Sequence, residues 1–455
     1  MKISQEWRVY ILGAMLCLAL TLCSLNFSDR GGPRFMASLT LAGVVYLLAM
    51  RVFFASPLFR KRVVVVGLVL AAVWHIEFLR LPAGADDDVH RYVWDGRLQR
   101  LGYNPYLVVP IDPAVKALHT PETRSLNHPE LPSLYPAGAE LFFRAVTAIH
   151  ESTFAMKAAF VLCELSAVFV LLDVLRRRNL GAHLVLAFAW NPLLALEVAG
   201  SGHIDILGAL LLLVSVGALM RRWREIAAVA FGLAVAVKLL PIVLLPLYWK
   251  RVRIRDAALA VAVVGLLYLP FLNHGRIPIG SVGVYVQSFR FNDPVFAILE
   301  RVAPPQLIAG FAVLIGLVTA MWLRSASSEW STGAVVWPMA ASLFCAPVLY
   351  PWYLLWLLPF LTSASTLPVL VWTVSVIPTY LVWHLRALGH LWLLPGWVML
   401  LEYAPIAAVG AIIVMRHIAR PSLNRSADEP LPLKSYGPTR NFRIRKLRSL
   451  IRSIH

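Results

Sequence analysis

Three consecutive carboxylates, Asp86, Asp87 and Asp88, follow directly on an apolar stretch, and the chain continues Val89-His90-Arg91-Tyr92-Val93-Trp94-Asp95-Gly96. Adjacent acids repel one another unless a cation, a proton or a helix N-terminus compensates. Aspartates at a helix start cap free N–H groups and suit the helix dipole, so capping by at least one of the three is expected. Arg97, Arg100 and Gly102 then mark the C-terminal end of that helix. Capping does not explain three acids at the edge of an apolar run. Placed at the lip of a bilayer, one carboxylate could take the proton from an attacking hydroxyl as general base. Others could hold a divalent cation against a phosphate.

Further polar residues stand out against apolar surroundings. Ser201-Gly202-His203-Ile204-Asp205 joins two apolar runs after Asn191-Pro192, and reads equally well as a glycine turn with a helix cap. Lys238 sits inside a run beside Leu239-Leu240-Pro241. An ammonium within a membrane segment is costly and marks a functional candidate; snorkelling to the interface is the alternative. Tyr350-Pro351-Trp352-Tyr353 lies between two runs, where an interfacial aromatic belt would place the same residues. His75 and Glu77 are either a buried pair or interfacial.

The elements that must position these groups are membrane helices. Of 455 residues, 59% are hydrophobic and only 15% charged, against roughly a quarter charged in soluble domains. Disordered, collagen-like and disulfide-scaffold classes fall with that composition. Apolar runs cover 9–25, 35–55, 63–79, 154–175, 183–199, 206–219, 257–272, 307–323, 333–348, 352–361, 367–385 and 392–414. They predict an all-α polytopic membrane protein with about twelve crossings. The first run lacks a clear cleavage site and is followed by another, so it reads as a retained anchor rather than a signal peptide. Segment 226–249 is broken by Lys238 and Pro241 and has basic clusters at both ends, which predicts a re-entrant hairpin of short helices.

A net charge of +18 suits basic flanks on the cytoplasmic side of membrane helices better than nucleic-acid binding. With the N-terminus inside, roughly 27 of the 42 basic residues fall on inner connections, including ten in the tail from Arg416 on. Both termini are then cytoplasmic in a multi-pass protein of the cell membrane, and the long loop 80–135 and the segment from Asn273 to about Pro304 are outer. The loop contains Tyr92, Trp94, Tyr103, Tyr106 and Tyr135, and should fold onto the membrane surface. The division is 1–62 N-terminal helices, 63–365 a membrane core that includes the outer loop 80–135, 366–415 C-terminal helices and 416–455 a basic tail, either solvated or on anionic lipid. Cys17, Cys23, Cys163 and Cys345 lie in apolar runs with no metal spacing and read as small core residues.

Taken in order, several motifs form a pattern. Asp86-x-Asp88, Arg91-Tyr92-x-Trp94-Asp95-Gly96-Arg97, Gly102-Tyr103-Asn104-Pro105-Tyr106 and Tyr135-Pro136 come first. Trp190-Asn191-Pro192-Leu193, Gly200-Ser201-Gly202-His203-x-Asp205, Lys238-Leu239-Leu240-Pro241 and Tyr350-Pro351-Trp352-Tyr353-Leu354-Leu355-Trp356 follow. Over about 63–365 this resembles the GT-C glycosyltransferases, membrane enzymes that use polyprenyl-phosphate sugars. Within them it is most similar to bacterial polyprenyl-phosphate-mannose-dependent mannosyltransferases, and to the first mannosyltransferase of GPI-anchor synthesis. Two departures are visible: relatives often begin this loop after the first span, whereas here two further spans come before it, and His90 stands where relatives often have Tyr.

The resemblance implies Asp86 and Asp88 as the acidic pair, either being the base. It implies Asp87, His90, Arg91, Asp95, His203, Asp205, Lys238, Tyr350 and Trp352 as the substrate-binding set, with Lys238, Arg91 and His203 toward the donor phosphate or the acceptor. Transfer of a hexose, mannose foremost, to a lipid or glycan acceptor with inversion on the outer face is the implied activity. A divalent cation is an open option. A transporter or flippase for a lipid-linked substrate is the rival reading, since transporters use broken helices at mid-membrane. Against it, no half-to-half repeat is visible and the acids sit in a long aromatic loop. A non-enzymatic scaffold for envelope assembly is a third.

Overall fold

The computed structural model describes residues 4–55, 59–84, 87–326 and 331–423. Two isolated bridges are the only extended pairings among them; the rest of the regular structure is helical. Helices α1 (Gln5–Ser24), α2 (Pro33–Ala55) and α3 (Lys61–Leu79) come first, and α4 (Val89–Arg100) and α5 (Ala137–Ile149) are shorter. After α6 (Thr153–Arg177), α7 (Val185–Ala189) bends by 64° into a π-helical stretch, Leu194–Gly200. Helices α8 (Asp205–Met220), α9 (Arg224–Val237) and α10 (Leu245–Tyr248) lead to α11 (Ile254–Tyr268). Two short helices, α12 (Val282–Ser288) and α13 (Pro294–Leu299), precede α14 (Pro305–Ala326) and α15 (Thr332–Phe344). The chain ends with α16 (Leu367–Ser375), α17 (Leu381–Ala387) and α18 (Gly396–Leu423).

Eight helical segments among the described residues are long and apolar enough to cross a membrane, and the bent α7–π pair makes a ninth. The chain is a multi-pass membrane protein. Apolar runs outnumber these spans, against about twelve expected. Run 206–219 lies in a 16-residue helix, and 333–348 yields one of 13 residues with Pro338 inside it. Run 352–361 winds into 3-10 turns started by Pro351 and Pro359, which cannot donate to a helical ladder. The basic tail expected over 416–455 lies, from 424 on, outside the described residues.

The hairpin expected around Lys238 is present. Helix α9 stops at Lys238, whose backbone is extended (φ −159°), and the chain turns back through Pro241. The return is fixed by Ser215 on α8. Its hydroxyl donates to the Ala227 carbonyl at 2.6 Å and lies 2.7 Å from the Tyr248 hydroxyl, so both arms meet one residue. The Tyr248 ring also packs on Phe231 at 4.2 Å. Lys238 is therefore the tip.

Buried polar groups pin the spans together. Tyr46 of α2 donates to the Ala187 carbonyl at 2.6 Å, and the Trp190 indole to Gly67 at 2.8 Å. His75 and Glu77 do not pair with each other. The His75 ring faces Glu164 on α6 at 2.8 Å, whereas Glu77 accepts the Thr21 and Ser24 hydroxyls of α1 at 2.9 and 2.5 Å.

The long loop folds onto the bundle, as its aromatics suggest. Tyr92 stacks on Phe143 of α5 at 4.4 Å and Trp94 on His119 at 4.0 Å. Helix α4 ends where expected: Gly102 takes φ +85°, and the Tyr103 N–H donates to the Leu98 carbonyl at 2.9 Å. Tyr103 thus closes the helix, and Asn104 ties it to the Phe271 carbonyl at 2.8 Å.

Candidate active site

A cavity of about 590 Å³ lies beside the start of α4. Its wall takes Asp88 and Arg91 from α4, residues between Leu126 and Tyr135 from the same loop, and Lys238 from the hairpin tip. Tyr285, Phe289 and Arg290 come from the second polar segment; Tyr350, Trp352, Tyr353, Trp383, Arg386 and Trp392 close it. Asp88 is the only carboxylate among these lining residues, while Arg91, Lys238, Arg290 and Arg386 supply cations.

The acidic triple divides. Asp88 occupies the N-cap position of α4, yet its side chain makes no capping bond. Its carboxylate instead accepts from the Asn127 amide at 2.7 Å and the Tyr135 hydroxyl at 3.2 Å, and stays 20% exposed. Asp87 turns the other way. It forms a two-pronged pair with Arg30, from the α1–α2 connection, at 2.6 and 3.0 Å, and accepts the Gly84 N–H at 2.6 Å. Burial alone would raise its pKa, but Arg30 and the Gly84 N–H hold it below the usual carboxylate range. Asp86 lies outside the described residues.

Asp87 is thus placed as a fastener, not in the cavity wall. Asp87→Asn removes the carboxylate of a buried, two-pronged ion pair with Arg30 and is expected to cost about 3–5 kcal/mol of stability. Because the folded pKa is depressed, the Asp87 contribution is full above the unfolded value near 3.8 and is lost as pH falls through the folded value. Thermal unfolding in detergent should show the wild-type and Asp87→Asn curves converging in acid.

His90 and Asp95 also point away from the cavity. Both His90 ring nitrogens face carbonyls, Glu122 at 2.5 Å and Gly84 at 3.0 Å, so the side chain ties the loop to itself. Asp95 is fully buried and accepts from Arg91 Nε with both oxygens at 3.1 Å. It neighbours Glu140, whose carboxyl burial pushes well above its usual range; Glu140 accepts the Ser133 hydroxyl and the Gln99 amide. Arg91 is held by Asp95 and by the Leu131 carbonyl at 2.8 Å, which sets its guanidinium in the cavity wall.

Lys238 is held from behind. Its Nζ donates to both oxygens of fully buried Asp205 at 2.9 and 3.1 Å, and lies 4.0 Å from the Tyr353 ring centroid. Trp356 donates its indole N–H to the same Asp205 at 2.7 Å. That approach needs Gly208, where a Cβ would come within 1.9 Å of the Trp356 ring. Asp205 therefore supports Lys238 rather than lining the cavity.

His203 is buried behind Asp88, with Nε2 4.0 Å from an Asp88 oxygen and Nδ1 2.9 Å from Glu197. Its ring stacks on Trp352 at 4.0 Å, and Trp352 stacks on Tyr350 at 4.3 Å. Burial works against a charged ring there, but Glu197, reinforced by Asp88 and Asp87, outweighs it and raises the imidazole's pKa.

Of the eleven residues singled out in the sequence, the structure thus brings Asp88, Arg91, Lys238, Tyr350 and Trp352 to one cavity, with His203 and Asp205 directly behind. Among the described residues no group of three or more His, Cys, Asp or Glu is placed to hold a metal, and Asp87 is committed to Arg30.

Residues 134–337 match the family model of glycosyltransferase family 87. No curated protein and no solved structure matches the chain. The match, together with the spans, supports a membrane glycosyltransferase with a donor and an acceptor to bind. The glycosyltransferase match takes in Glu197, His203, Asp205, Lys238 and Arg290, while Asp88 and Trp352 lie outside it.

Glu197, Arg290 and Arg386 belong to the site but to none of the sequence motifs. A signal existed for Glu197, an acid within an apolar run. Arg290 is paired with Glu300 and Arg386 is exposed, and as basic residues in polar connections they look like any others.

Proposed function

We propose that this protein transfers a hexose, with mannose the first candidate, from a polyprenyl-phosphate donor to a lipid or glycan acceptor, inverting the anomeric carbon. The cavity supports this reading: one ionisable carboxylate shares an aromatic-walled space with four cationic side chains. In this scheme Asp88 accepts the proton of the acceptor hydroxyl as its oxygen attacks the anomeric carbon. The bond from that carbon to the phosphate oxygen breaks and its electron pair leaves with the phosphate. Lys238, Arg91, Arg290 and Arg386 stabilise the anion that departs. A single displacement from the face opposite the phosphate inverts the centre. With both termini cytoplasmic, as the basic clusters favour, the cavity opens on the outer face of the cell membrane.

Purified protein incubated with polyprenyl-phosphate mannose, glucose or arabinose and a panel of lipid and glycan acceptors is expected to form product from one donor. The break in the hairpin at Lys238 is the feature that favours a transporter instead. Movement of the lipid-linked sugar across reconstituted vesicles, with no product from any donor, would decide for that reading.

A further inference from the structure

We propose that Glu197, His203 and Trp352 form a fixed cationic support behind Asp88, in which Glu197 is a positioning residue that acts through the His203 ring. This rests on Asp88 being the base of the transfer reaction proposed above.

Glu197 is 1% exposed and lies in the π-helical stretch, a departure from α-helical register that often marks functional sites. Its backbone carbonyl accepts the His203 N–H at 2.8 Å and lies 3.3 Å from the ring Nδ1. One carboxylate oxygen is 2.9 Å from that same Nδ1, and the other accepts the Tyr380 hydroxyl. With Nδ1 so committed, Nε2 is the nitrogen turned toward Asp88.

The ring is also clamped from the side. Trp352 lies nearly parallel to His203, at 10°, and nearly parallel to Tyr350, at 9°. Two parallel rings that close to one centroid would collide on a shared face, so His203 and Tyr350 cover opposite faces of Trp352. No face of Trp352 is left for a sugar. Its π-system serves the imidazolium instead, a favourable arrangement for a buried cation.

At 4.0 Å the contact of His203 with Asp88 is one of charge rather than a hydrogen bond. A doubly protonated ring cannot take the proton from Asp88, and it sets a positive charge 4.0 Å from that carboxylate. Other charged groups nearby have partners of their own. Asp87 is paired with Arg30 and Asp205 with Lys238, and the Lys157 ammonium donates to the Leu81 carbonyl at 2.6 Å. The uncharged hydroxyl of Tyr135 donates to Asp88. Glu197 is the acid in contact with the His203 ring, and Asp88 and Asp87 add to its effect.

The test uses full-length protein and whichever of the three polyprenyl-phosphate sugars the wild type turns over. Glu197→Gln is expected to move the acid limb of the kcat/KM profile upward by about one pH unit, lowering the rate on that limb about tenfold. His203→Gln should do the same, and the double variant should be no worse than His203→Gln alone, because the two act as one unit. A purely structural role would lower the rate alike at every pH and make the two changes additive; either result overturns the proposal. If Glu197→Gln does not accumulate, the limb of His203→Gln alone carries the test. An unmoved limb there also overturns it. Wild-type transfer by Asp88→Asn would refute the underlying reading, whereas an inactive Asp88→Asn beside an unshifted Glu197→Gln would refute only this support.

Discussion

Asp88→Asn is expected to lower kcat/KM for sugar transfer by about 10²–10⁴-fold, the range a positioned general base contributes. The substitution is nearly isosteric. An amide can still accept from Asn127 and meet the Tyr135 hydroxyl, which can act as donor or acceptor, so the loop should hold its place. What is lost is the ability to take a proton. Accumulation in the membrane and donor affinity should stay close to wild type, so the loss appears in kcat. A variant that keeps most of its kcat would remove Asp88 from the chemistry, and the base would have to be sought elsewhere.

Lys238→Met is expected to fail in two separable ways. It leaves Asp205, 1% exposed, with the Trp356 indole as its remaining side-chain donor among the described residues, and stranding one partner of a buried pair costs about 3–5 kcal/mol. It also removes a cation from the cavity wall, which should slow departure of the phosphate. Adding Asp205→Asn should recover much of the thermal stability without recovering transfer, since the neutral amide no longer needs a counter-charge. Recovery of both together would mean that Lys238 only holds the fold.

Sequence reading reaches some of this and stops at identifiable points. Apolar runs and basic clusters suffice for the membrane class, and Lys238 beside Pro241 suffices for the hairpin, because a charge and a missing N–H both interrupt a helix. The division of labour between Asp87 and Asp88 is not legible. Neighbouring side chains diverge at a helix start, and the partners that separate them, Arg30 on one side and Asn127 and Tyr135 on the other, are 57, 39 and 47 residues away. The same distance problem hides what Asp88 does: its oxygens meet two side chains from the far end of the loop instead of the helix N–H groups. His90 and Asp95 stand in the right motif but bond within the loop, so spacing alone could not tell cavity from scaffold. The resemblance puts Trp352 in the substrate-binding set, and only its two stacked neighbours show that both of its faces are taken.

The contact between Arg30 and Asp87 changes what the first two helices are for. They precede the acidic motif and look dispensable, a membrane anchor placed ahead of the working part. Yet the turn between them sends a guanidinium into the base of the loop that carries Asp88, and α1 also supplies the hydroxyls that Glu77 of α3 accepts. Trimming the chain to begin at Lys61 would strand two acids at once. The leading pair of helices is thereby a buttress for the reactive loop, and any minimal version of this protein has to carry it.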